Sequence, residues 1–445
     1  MSRRIQGWIA LILSLVVGAD ALASGEPCEP TWERAAGQPG VVGLAVEALV
    51  VFDDGNGPAL YAGGTFSSAG GVAANNIAKW NGTSWSPLGL GTDGTVYALA
   101  VYNDGTGPAL YAGGFFLNAG GLPASFVAKW NGTTWSSLGV GTSGVVYALG
   151  VFNGDLYVGG GFLRAGGIGV SNIAKWDGEN WGSLGLGTDR SVNTLAAWDD
   201  GTGSALFVGG DFTSAGGLPA RRIAKWTGSA WDILGGGLGD LVFAMVGTNE
   251  VSRVGPALYV GGSFTSAAGG TAPYIARWDG TRWSALDPSP SFNVLALALF
   301  NDGTGPAIYA GGTFLEVGKL TVNHIAKWDG LSWSPLGSGV NDEVWALLAT
   351  DEEDGLGGAR LYAGGDFSMA DGGPAAHIAA WATSCSVGDC NGDDDVDLGD
   401  FSDFPDCMLG PSQSTPPGCE CADINGNGHV DLADMRVWQI VFTGP

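Results

Sequence analysis

Leu60-Tyr61-Ala62-Gly63-Gly64-Thr65-Phe66, followed by Ile77-Ala78-Lys79-Trp80 and then Trp85, decides how the rest of the chain is read. The Leu-Tyr-Ala-Gly-Gly segment returns with small changes at Leu110, Leu156, Leu206, Leu258, Ile308 and Leu361, at offsets of 50, 46, 50, 52, 50 and 53 residues. Seven copies at a nearly fixed period mean a repeat architecture, in which each unit buries its apolar faces against its neighbours.

Within one copy the pattern predicts four short strands, Val96 to Tyr102, Leu110 to Phe115, Phe126 to Trp130 and Thr134 to Leu138, separated by Gly, Asn and Asp. In the third copy Asn153-Gly154 joins the first two strands, the pair that best accepts the two positive φ values of a type I′ turn. Other copies carry longer connections there, such as Asp53-Asp54-Gly55-Asn56-Gly57. Four strands per ~50 residues is the period of a propeller blade, so the expected fold is all-β, a seven-bladed β-propeller of four-stranded blades. Thr31-Trp32 matches the fourth strand at Thr134-Trp135 yet precedes the first copy, and the last copy stops at Trp381 without such a strand. The N-terminal strand is therefore expected to complete the last blade and remove an exposed sheet edge.

Composition bounds the setting. Arg3 and Arg4, the apolar run Trp8 to Val17 and Ala21-Leu22-Ala23 read as a signal peptide over 1–23 with a mature start near Ser24. That implies a secreted, extracellular or cell-surface protein. The run is short for a membrane span, and no later stretch reaches ~20 uninterrupted apolar residues. The 79 glycines among 445 residues fit many tight turns, and a net charge of −26 argues against nucleic-acid or anionic-membrane partners. Cys28 stands apart from Cys385, Cys390, Cys407, Cys419 and Cys421. An even count in an exported chain favours disulfides over zinc, and ring closure would bring Cys28 near Cys385.

The repeat Leu-Tyr-Ala-Gly-Gly-x-Phe with Ile-Ala-Lys-Trp-Asn-Gly-x-x-Trp resembles kelch-type propeller repeats and those of fungal cortical polarity-marker propellers, from Trp32 to about Trp381. The resemblance implies a propeller over 24–384 and leaves function open, because propellers host binding, scaffolding and catalysis alike. Kelch-fold copper oxidases would need Tyr, His and Cys ligands, but this stretch has no cysteine between Cys28 and Cys385. No nucleophile elbow or phosphate loop is present, and no catalytic residue is assigned. Residues that break the repeat, Arg164, Arg221, Arg222, Glu316, Lys319, His324 and His377, read as solvated loop residues or as a ligand-binding rim. The lysines of Ile-Ala-Lys-Trp (Lys79, Lys129, Lys175, Lys225, Lys327, with Arg277 in the fifth copy) read as structural, stems packed and charges reaching outward. The acidic hairpins around Asp53-Asp54, Asp104, Asp199-Asp200 and Asp302 read as turns, with weak calcium sites as the alternative.

Beyond Trp381 the composition changes. Asp389, Asn391, Asp393, Asp395, Asp397 and Asp400 occupy positions 1, 3, 5, 7, 9 and 12 of an EF-hand-like loop, and Asp423, Asn425, Asn427, His429, Asp431 and Asp434 do so again. Calcium takes six to eight oxygens, so alternating oxygen donors on a tight loop suit it, with position 7 lending its carbonyl. Asp at position 12 followed by Leu432, Met435, Trp438 and Val441 resembles dockerin repeats, which implies a small α-helical Ca2+ module over 385–445 and a cohesin-like protein partner. Asp394 in place of the usual Gly, Pro405 and the cysteines depart from that pattern. The expectation is a secreted binding or scaffold protein whose propeller meets a protein or glycan ligand. The alternative is an enzyme or accessory protein of polysaccharide breakdown.

Overall fold

The computed structural model describes residues 30–33, 40–249, 255–351 and 359–383. Seven antiparallel four-stranded sheets follow one another in chain order. In the second blade the strands are Thr95–Asn103, Pro108–Phe115, Val127–Trp130 and Trp135–Ser137, within two residues of the pattern expected from the sequence. The first strand alternates half-buried and buried positions, as a strand with one covered face should. The second is buried through its interior because both faces are covered, which explains its continuous apolar sequence.

The seventh blade takes its fourth strand from the other end of the chain: Pro30–Glu33 pairs antiparallel with Ile378–Thr383, setting Trp32 opposite Trp381. The two rings meet edge to face at 5.5 Å, matching Trp80 with Trp85 at 5.6 Å in the first blade. Trp32 Nε1 donates to Leu336 O at 2.8 Å, as Trp135 does to Leu88 O and Trp231 to Leu184 O. The borrowed strand thus repeats the bonding of an in-line one.

The core lies between blades. Phe52, Tyr61, Ile77 and Leu88 of the first blade pack on Val96, Leu110 and Phe116 of the second, and one such cluster joins Tyr362 and Ile378 of the seventh to Val46 and Leu60 of the first. The repeated Gly-Gly explains how closely blades approach. A Cβ on Gly113 would stand 2.4 Å from Val146 Cγ1 of the next blade, and the same close approach recurs at every junction until Gly364 meets Val46. Only glycine fits, and the last junction closes the ring.

Antiparallel connectivity gives the ring two unlike faces. First-to-second and third-to-fourth turns share one, called here the hairpin face. Second-to-third loops and blade-to-blade connections share the other, the loop face. Asn153 and Gly154 have φ of 49° and 82°, the expected type I′ turn, on the hairpin face. On the loop face each second-to-third loop forms a small two-residue ladder, such as Leu122–Pro123 against Asn118–Ala119, where the sequence suggested irregular loop.

Candidate functional site

The hairpin face is built from one repeated ion pair. Lys79 Nζ donates to Asp54 Oδ2 at 2.6 Å and Lys225 to Asp200 at 2.7 Å, while Lys129 meets Asp104 and Lys327 meets Asp302 at 2.5 Å. Tyr61, Tyr111 and Tyr309 add their hydroxyls to the same carboxylates. Where Phe207 replaces the tyrosine, Asp200 keeps Lys225 and Thr202. The third blade has the short Asn153-Gly154 turn, and Lys175 pairs with Asp155 instead. Burial alone would raise the Asp302 carboxyl, but hydrogen bonds from Lys327, Thr304 and Tyr309 outweigh it and hold the group below the ordinary range.

These contacts correct one expectation. The charges of Lys79, Lys129, Lys225 and Lys327 do not reach outward; they end on carboxylates whose side chains, at Asp200 and Asp302, are 3% and 5% exposed, while the Lys175 side chain stays 40% exposed. The Asp54, Asp104, Asp200 and Asp302 carboxylates accept from cations and donors of the protein itself. Among the described residues no group of three or more acidic, His or Cys side chains is arranged to hold a metal.

The loop face is built differently. The residue before each third strand adopts a left-handed conformation: Asn76, Phe126, Asn172, Arg222, Tyr274, His324 and His377 all have φ between 62° and 73°. Such a conformation is uncommon outside glycine and costs an L-residue roughly 1–3 kcal/mol. A repeated backbone clamp holds it. The N–H of each residue donates to the carbonyl of the preceding Gly-Gly-x-Phe phenylalanine, as Arg222 does to Phe212 O at 2.8 Å. Its carbonyl accepts from the second glycine, as Arg222 O does from Gly210 at 2.9 Å. One backbone geometry therefore presents seven positions filled by five residue types. Arg222 pairs with Asp211 at 2.7 Å, Phe126 lies against Phe115, and Tyr274 lies against Phe292. His324 and His377 each turn Nδ1 toward a glycine carbonyl at 3.2 Å.

A second variable ring lies at the start of the first strands, where a β-bulge leaves one residue out of register in every blade. These residues are Glu47, Tyr97, Tyr147, Asn193, Phe243, Leu295 and Trp345. Tyr97 and Tyr147 lie 5.7 Å apart. Glu47 is pushed up to about 7, chiefly by burial, with Asp366 adding like charge and a Thr65 hydrogen bond opposing both. Burial and neighbouring carboxylates also raise Glu343 and Asp366. The sequence reading missed this acidic sector. Its one signal was Glu47 at a bulge position that elsewhere carries aromatic, aliphatic or amide side chains.

Arg164, Arg221, Arg222, Glu316, Lys319, His324 and His377 all fall on the loop face, as their place beside the second-to-third loops suggested. Arg164, Arg221 and Arg222 belong to the adjacent third and fourth blades, Glu316, Lys319 and His324 to the sixth and His377 to the seventh. His324 is buried and Arg222 and His377 are half-buried, so these three are more than solvated loop residues. The calcium-loop positions 389–434, the signal segment 1–23 and all six cysteines lie outside the described residues. No helix among the described residues is long and apolar enough to cross a membrane.

No family model matches the sequence, and no curated protein matches it. Among solved structures, the computationally designed protein Ika8 aligns at 16% identity over 77% of this chain and 99% of its own, with a TM-score of 0.43. The BBS1N chain solved in complex with ARL6DN aligns at 13% identity over 80% and 97%, with a TM-score of 0.46. The fold assignment rests on the seven blades themselves.

Proposed function

We propose that this chain is a secreted, non-enzymatic binding or scaffold protein: a kelch-type propeller offers its loop face to a protein or glycan ligand, and residues 385–445 form a dockerin-like calcium module that docks or anchors it. One observation carries the reading for the propeller. Seven left-handed positions share one backbone clamp while their buried or half-buried side chains vary, so one rigid geometry carries different chemistry from blade to blade. A rigid scaffold presenting varied loops is a usual basis for recognition. The module's support is the paired Asp- and Asn-rich loops beginning at Asp389 and Asp423.

The test uses the full mature chain. Isothermal titration with calcium is expected to show binding that weakens sharply in the Asp423→Ala, Asp434→Ala variant. Protein and glycan arrays probed in calcium are expected to give a ligand whose capture falls on loop-face substitution and is indifferent to hairpin-face substitutions that preserve the fold. Capture indifferent to the loop face would sink the propeller half of the reading. Absence of calcium binding would sink the other half. Hydrolysis of polysaccharide has one observation in its favour, the high-pKa carboxyl of Glu47 near Asp366. Loss of glycosidase activity in Glu47→Gln would move the protein to that class.

A further inference from the structure

The loop face is not uniform around the ring, and its asymmetry carries an inference about the ligand. In the connections between blades, the residue after Leu-Gly is Leu90, Val140 and Leu186 at the first three junctions and Gly236 and Ser338 at the fourth and sixth. The ladder position of the second-to-third loop is Val72, Leu122, Ile168 and Leu218 in the first four blades, all exposed, and Gly270, a half-buried Leu320 and Gly373 in the last three. Leu186 is 72% exposed and Leu163, beside it in the third blade, 68%. In two blades these side chains pair across the junction. Leu90 leans to 3.3 Å from where a Cβ of Gly121 would stand, next to Leu122, and Leu186 does the same at Gly217, next to Leu218. Exposed apolar side chains grouped on one face of a protein mark an interaction surface.

Charge singles out the same sector. The chain carries −26 overall, yet Arg164, Arg190, Arg221 and Arg222 gather on the third and fourth blades of this face. Asp211 pairs with Arg222 at 2.7 Å and lies 3.7 Å from Arg190, leaving Arg164 and Arg221 exposed beside the apolar arc. At the far end of the arc, Glu47, Asp342, Glu343 and Asp366 make the seam between the seventh and first blades acidic. A partner lying on the apolar arc thus meets positive charge at one end and is repelled from the other.

Resting on the binding reading above, we infer that the arc of blades one to four is the docking surface for an acidic polypeptide segment bearing aliphatic side chains.

A display library of random dodecapeptides, selected on the intact protein in calcium, tests this. Enriched peptides are expected to combine Asp or Glu with Leu, Ile or Val. Their affinity should fall at least about tenfold in Leu122→Ser, Leu186→Ser and in Arg164→Glu, Arg221→Glu, with melting temperature unchanged, and should hold in Asp366→Asn. Basic or uncharged peptides, binding that survives both double substitutions, or no enrichment at all would overturn the inference. Concentration-dependent dimerisation by sedimentation, abolished by Leu186→Ser, would assign the arc to a second copy and overturn it too. Glycan binding at the loop face without peptide binding would overturn this inference while leaving the broader binding reading in place.

Discussion

The two faces of this ring solve different problems with the same seven repeats. On the hairpin face chemistry is repeated: a lysine of the third strand, a carboxylate of the first turn and, in three blades, a tyrosine hydroxyl form one buried cluster. On the loop face backbone is repeated, through the left-handed clamp, and chemistry varies from Phe126 to Arg222 to His377. Side chains hold one face and main-chain hydrogen bonds hold the other, so substitution should be costly on the first and cheap on the second.

Lys327→Met should give the largest stability loss. It leaves Asp302, a carboxylate with 5% exposure, without its cation, and breaking a buried pair typically costs about 3–5 kcal/mol. Arg164→Ala on the loop face removes an exposed side chain that donates to Gly167 O, so its cost should stay within about 0.5 kcal/mol. Chemical denaturation of the two variants measures the contrast, and equal losses would break the comparison. The faces also exchange partners at the ring's seam. Register Pro30↔Thr383, Thr31↔Ala382, Trp32↔Trp381 keeps a constant sum of residue numbers, and continued two residues outward it would oppose Cys28 to Cys385. Both cysteines lie outside the described residues. We predict a disulfide between them, with Cys28→Ser, Cys385→Ser losing roughly 2–4 kcal/mol and non-reducing peptide mapping showing the linked pair. A mapped partner other than Cys385 would refute the seam as proposed.

The fold was legible because every blade repeats its buried positions: the Gly-Gly pairs, the paired tryptophans and the Thr31-Trp32 strand all announced themselves by period, and their structural reasons are close approach and ring closure. The ion pairs were half legible. Lys129 and Asp104 were each visible as repeated residues, but 25 positions separate them and only the strand register brings them together. The acidic sector was not legible, since Glu47, Glu343 and Asp366 come from opposite ends of the propeller sequence and meet only because the seventh blade returns to the first. Sequence period shows what is common to blades and is silent on contacts made at one junction.

The smallest expected effect sharpens the comparison through pH. On the hairpin face Asp54, Asp104, Asp200 and Asp302 have carboxyls held below their ordinary 3.8 by hydrogen bonds and lysine charge that outweigh burial. Their stabilisation is present at neutral pH and is lost as pH falls below 3.8 and through the lower folded-state values. Glu47 has the opposite sign. Its carboxyl, raised from 4.5 to about 7, binds a proton more tightly folded than unfolded, so its contribution is full below pH 4.5 and is lost as pH rises through 7. The melting temperature should therefore decline between pH 4.5 and 7 from the loop face and collapse below 3.8 from the hairpin face. Glu47→Gln should remove the first slope, on the order of 1–2 kcal/mol for a partly buried group, and leave the acid limb intact. A Glu47→Gln protein whose stability still falls from pH 4.5 to 7 would show that other carboxylates of the sector, Glu343 or Asp366, carry the slope.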